Sequence, residues 1–178
     1  MSELSAQTSS TAAPPSIPLT PSLKRRMACW LYEGVLLFGV VFLSGYLFSA
    51  LSQTRNALDN RMGMQAFVFL VLAIYFTWFW HKGQTLAMKT WHIQVRNLTG
   101  LRLSQKQAFV RYLWSWVWFV PPLALAYGFE LKASSTMGLV VMWVIIWSAM
   151  SRFHPHRQFW HDAWSGTRLE YCPPEVKA

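Results

Sequence analysis

The chain has 178 residues, of which 53% are hydrophobic, 16% aromatic (eleven of them Trp) and only 13% charged, with a formal charge of +9. That is roughly half the charged fraction of an average soluble chain. The apolar residues also fall in blocks rather than at amphipathic spacing, which excludes an ordinary water-soluble domain and points to membrane spans. The positive charge does not indicate nucleic acid, because the Lys and Arg residues flank the apolar blocks, which is a topology signal.

Residues 1–23 are rich in Ser, Thr, Ala and Pro and offer nothing to build a core, so they read as a disordered cytoplasmic tail. They are not a signal peptide, because the basic cluster Lys24, Arg25 and Arg26 comes after them. The first apolar block, about 27–51, exceeds the roughly 20 helical residues that a bilayer core requires. A second, about 64–80, ends in the aromatic cluster TWFWH. The third, about 112–129, contains Pro121-Pro122 and should kink or break there. The fourth, about 135–150, is short but uncharged, and residues 172–178 form a C-terminal tail.

The connecting segments set the orientation. His81 to Arg111 carries six Lys/Arg and no acid, whereas Ser52 to Gly63 is net +1 and Glu130 to Ser134 is net zero. The positive-inside rule then places both termini and the middle loop in the cytoplasm, which four spans satisfy and three do not. Within the middle loop TWHIQVRN alternates like a strand, LRLS alternates again after the NLTG turn, and TRLEY does so near the C-terminus. A small cytoplasmic sheet of these three pieces is expected on an otherwise all-α membrane fold. Gly83 suits a helix exit, and Thr85 to Lys89 a short amphipathic turn on the membrane surface.

Candidate chemistry is sparse. Glu33 lies two turns inside the first span, where an ionised carboxylate is costly unless paired, hydrated or protonated. Arg26, seven residues earlier, shares its helix face at about 10 Å along the axis. Glu33 is therefore either functional or a structural residue paired with a base. Lys89 either holds Asp162 or a lipid headgroup, or snorkels at the surface. Asp162, the lone acid in QFWHDAWSGTRLE, is expected as counter-charge to Arg25, Arg26 or Lys89, with Trp160 and Trp164 at the interface and Gly166 turning the chain. His154, His156 and His161 lack the spacing of a zinc motif and read as wet residues at a helix end. Lys82-Gly83 lacks phosphate-loop spacing, no nucleophile–His–Asp motif stands out, and Cys29 and Cys172 are too separated by span boundaries to suggest a disulfide. No cofactor, metal site or enzymatic activity is expected.

Three stretches in order, RRMACWLYEG, GQTLAMKTWHIQV and HRQFWHDAWSGTRL, resemble the RDD family of small bacterial membrane proteins over about residues 24–171. The resemblance puts the family's arginine on Arg26, with Arg25 beside it, its first aspartate on Glu33, one methylene longer, and its second on Asp162. A family glycine falls on Ala87. The resemblance implies the bacterial inner membrane and a transport role coupled to small cations or protons. With few spans, a homo-oligomer among membrane lipids is the expected unit, and no nucleic acid is involved. A non-catalytic scaffold or accessory subunit is the alternative, and a membrane enzyme acting through the His/Asp cluster a distant third.

Overall fold

A computed structural model describes residues 19–52, 60–154 and 158–173. The tail up to residue 18, Arg55 and Asp59 of the first loop, His156, Arg157 and residues 174–178 lie outside the described residues. The chain runs α1 (Leu23–Ser52), α2 (Arg61–Lys82), α3 (Leu86–Thr90), β1 (Ile93–Asn97), α4 (Gln105–Ser115), a 3-10 turn at Trp116–Trp118, α5 (Val120–Gly128), α6 (Ala133–Met150), α7 (Trp160–Trp164) and β2 (Thr167–Tyr171).

Among the described residues three helices are long and apolar enough to cross a bilayer: α1, the helix that begins at Arg61, and α6. At 1.5 Å per residue α1 is about 45 Å long and α6 about 27 Å, against a hydrocarbon core of about 30 Å. Their outward faces carry large exposed apolar side chains, with Val35 71% and Phe38 74% exposed. The buried hydroxyls of Ser44 and Ser148 bond within their helices, donating to the carbonyls of Val40 and Val144.

The expected third span is not one continuous helix. Residues 112–129 are divided among the end of α4, the 3-10 turn and α5. The two prolines do not kink a helix; they occupy the first turn of a new one, where a missing N–H costs nothing. The break falls at Phe119, whose φ of −123° ends the regular dihedrals just before them.

Sequence-local chemistry sets the remaining boundaries. Asn60 caps α2 by accepting from Gly63 N at 3.2 Å, and Gly83 ends it at φ +100°, a left-handed conformation that glycine adopts without penalty. Thr85 caps α3, and Ser104 with Gln107 forms a reciprocal capping box on α4.

Among the described residues the sheet has two strands rather than three. β1 and β2 pair antiparallel, with Val95 opposite Leu169 and Asn97 opposite Thr167. Ile93, Val95, Thr167 and Leu169 form the buried face. On the other face Arg96 and Arg168 lie opposite one another, and each is engaged along its own strand, Arg96 with Gln94 and Arg168 with Glu170 at 2.6 Å. LRLS does not join, because Asn97 captures Leu101 N and closes the turn, and Ser104 already begins α4. The third position beside β2 is taken by a side chain. Buried Gln158 donates to Leu169 O and accepts from Leu169 N, both at 3.0 Å, reproducing a strand's bonding pair. Leu19, which composition assigns to the tail, is tied in as well, its carbonyl accepting from Tyr171 N at 2.8 Å.

The buried core gathers where α3, α4, α7 and the sheet meet the adjoining ends of α1 and α2. Ala87, Ile93, Val95, Leu103, Ala108 and Tyr112 are essentially sealed there. α3 packs on α1 and α7 packs on α4, contacts that bring the charged candidates together.

Candidate functional site

Arg26, Glu33, Arg111 and His161 all line one cavity of about 820 Å³, bounded by α1, α2, α4, the 3-10 turn and α7. The expected single charge network resolves into three parts around it, with Asp162 behind Arg111 rather than on the wall.

The first part is Glu33, which is 8% exposed. Tyr75 of α2 donates to its Oε1 at 2.8 Å, and Thr85 donates a short hydrogen bond to Oε2. The same Thr85 oxygen accepts from Met88 N, so the residue that starts α3 also holds the carboxylate. Ala87, fully buried two residues on, lets α3 lie against α1 and places that hydroxyl there. Among the described residues no basic side chain pairs with Glu33. The expectation that a structural Glu33 would sit with a base is therefore not met.

The second part is Asp162, which is 0% exposed. Its partner is Arg111 of α4, whose Nε and Nη2 both donate to Oδ1, at 3.0 and 2.7 Å. Of the expected partners Arg26 acts on Asp162 only through its charge, and none of the three is in contact with it. Arg25 instead lies 4.0 Å from the centre of the Tyr171 ring, and Lys89 is exposed at the end of α3 with no ion pair among the described residues. Arg111 also stacks over Trp80 at 4.1 Å, so its charge is sandwiched between a carboxylate and an aromatic face. Asp162 O accepts from Ser165 and Thr167, which fixes the α7–β2 turn where Gly166 takes φ +66°.

His161 is buried, not wet. Its Nε2 stands 3.3 Å from Asp162 Oδ1, and its ring packs against Trp118 and Phe159. Burial pushes its pKa down to about 4; Arg111 and Arg26 add to that, and Asp162 opposes it. The imidazole is therefore neutral at pH 7 and adds no charge to the pair. Among the described residues no three His, Cys, Asp or Glu side chains converge as metal ligands. Cys29 and Cys172 are free thiols.

The third part is Arg26, 4% exposed and 4.3 Å from the centre of the Phe159 ring. Its Nε and Nη1 are sealed from solvent and make no hydrogen bond.

Sequence reasoning missed Arg111, Tyr75 and Gln158 and read Thr85 only as part of a turn. Arg111 did carry a signal, as the single charge inside AFVRYLWSW. Tyr75 and Gln158 carried none, since nothing local distinguishes them from interface residues. Trp160 is half-buried and Trp164 exposed, its ring tilted at 56° against that of Trp147 in α6.

A family model described as the RDD family matches residues 20–166. Neither the curated proteins nor the solved structures compared with the chain provide a significant match. The matched region covers most of the chain and contains Arg26, Glu33, Arg111 and Asp162, and the protein belongs to the RDD family.

Proposed function

We propose that this RDD protein crosses the bacterial inner membrane four times with both ends in the cytoplasm, and that Glu33 serves the movement of protons or small cations through an oligomer. Parity supports the fourth crossing. Arg111 and Asp162 form a buried pair, so they lie on one side of the membrane. The chain between them then crosses an even number of times. α6 is long and apolar enough for one crossing, which leaves residues 112–132 to make the other. Helical turns occupy nearly all of 112–128, about 26 Å of rise. The six Lys/Arg of the loop before them assign that shared side to the cytoplasm.

The single observation that carries the transport reading is the contrast between the two buried carboxylates. Asp162 is ion-paired, whereas Glu33 is held by two hydroxyls on the wall of a large cavity. A carboxylate held that way can gain and lose a proton, or meet a small cation, without breaking an ion pair. Four crossings enclose little space, hence the oligomer. We assign the chain no catalytic role and no cofactor.

In reconstituted vesicles challenged with a panel of small cations and a pH gradient, Glu33→Gln should abolish flux while the protein inserts and folds as before. Equal flux in variant and parent sinks the role. The second reading, a membrane scaffold, draws on the Arg111–Asp162 clamp, which joins α4 to the C-terminal unit. It predicts that Glu33→Gln lowers stability or partner recovery instead of flux.

A further inference from the structure

The geometry points to the cavity beside α1 as a seat for one acyl chain of an anionic membrane lipid, with the lipid's phosphate on Arg26. Four observations converge on it. The guanidinium of Arg26 is buried, lines the cavity and lacks a hydrogen-bond acceptor for Nε and Nη1. A buried cation without an acceptor is costly enough that such groups are ordinarily paired; the charge of Asp162 acts on Arg26 from a distance, but the two form no ion pair among the described residues.

Beyond Arg26 the wall is largely apolar. Along α1 it passes Leu31, Val35 and Phe38, and Leu72 and Phe76 of α2 face the same space. Glu33 also reaches this wall, but both its oxygens are occupied by Tyr75 and Thr85.

The dimensions suit a lipid tail. Arg26 to Phe38 spans twelve residues of helix, about 18 Å, close to the roughly 15 Å of hydrocarbon in one leaflet. The volume of about 820 Å³ falls within the range of roughly 300–1,000 Å³ typical of small-molecule sites. Finally, the cavity is open sideways, since Leu31, Val35 and Phe38 line it and are themselves 61–74% exposed. A tail can therefore enter from the bilayer while its anionic head stays at the level of Arg26, where Lys24 and Arg25 add positive charge.

This inference rests on the chain's spanning the membrane and not on the transport reading. The test uses the full-length protein in neutral detergent, with native mass spectrometry and the thermal unfolding midpoint as readouts. The probes are dioleoylphosphatidylglycerol, dioleoylphosphatidylcholine and inorganic phosphate. The phosphatidylglycerol should remain bound at one per chain and raise the midpoint saturably, and the other two should not. Arg26→Gln should weaken binding about tenfold or more, the loss of a charge-assisted contact, while Arg26→Lys retains it. Val35→Trp, at a position exposed enough to tolerate the larger ring, should also weaken it by filling the tail groove. Lipid binding and the unfolding midpoint are read without any flux, so failure of the transport role leaves this test intact. An equal shift from phosphatidylcholine overturns the headgroup assignment, and an equal shift from phosphate alone shows a free-anion site instead. A lipid-free dimer that excludes phosphatidylglycerol means a second copy covers the groove, which also overturns the proposal.

Discussion

Asp162 and Arg111 belong to segments 51 residues apart, and their pairing shows what single residues decide in this protein. Both Arg111 nitrogens converge on one carboxylate oxygen, leaving Asp162 Oδ2 without a hydrogen bond among the described residues. The pair is thus sealed but not fully satisfied, and its net contribution to stability is smaller than the damage done by removing one half. Asp162→Asn should destabilise the protein by about 3–5 kcal/mol, because it strands the Arg111 charge against Trp80. Asp162→Leu combined with Arg111→Met should recover most of that loss. Denaturation midpoints in detergent for the single and double variants decide it, and a double variant as weak as the single one would contradict the account. Asp162 was conspicuous in the sequence as a lone acid among tryptophans and arginines. Which base it meets was not: Arg25, Arg26 and Lys89 were the expected partners, and only packing brings Arg111 to it instead.

At the scale of elements, boundaries written in backbone chemistry were legible and pairings were not. The exit of α2 at Gly83 follows from a conformation that non-glycine residues adopt at a cost. A β-carbon there would meet nothing closer than Val95 O at 4.0 Å, so the strain is conformational rather than steric. Gly83→Ala should therefore lower stability by about 1–2 kcal/mol. It should also raise hydrogen exchange at α3 before the rest of the chain, since Gly83 O anchors β1 through Val95 N. Unchanged exchange at 85–90 would argue against that coupling. Alternation correctly marked β1 and β2 but also marked LRLS, because a period of two states only that a segment fits a half-buried ribbon. Whether a partner is in reach depended on Asn97, Ser104 and Gln158. The prolines show the same limit. Their presence predicts interruption of the third block, yet only the fold shows them starting α5 rather than bending a single helix.

For the molecule as a whole, the distribution of charge and apolar surface makes a specific topology testable. In a cysteine-free background, Glu130→Cys should react with an impermeant maleimide only from outside the cell. Arg102→Cys should react only after the membrane is opened. Labelling of both from one side would reduce the crossings between them to an even number and remove the four-span arrangement. By itself the sequence determined the solvent: blocks of uncharged apolar residues have nowhere stable to go but a bilayer. It also determined the family resemblance and the rarity, hence the interest, of Glu33 and Asp162. Only the tertiary structure decided how these charges are used. Hydrogen-bond partners lie within about 3 Å, while the residues concerned are separated by 42 to 52 positions in the chain. No local pattern encodes such contacts. Docking α3 on α1 and α7 on α4 gives Glu33 its two hydroxyls and Asp162 its arginine, and leaves Arg26 facing the cavity without a hydrogen-bond partner among the described residues.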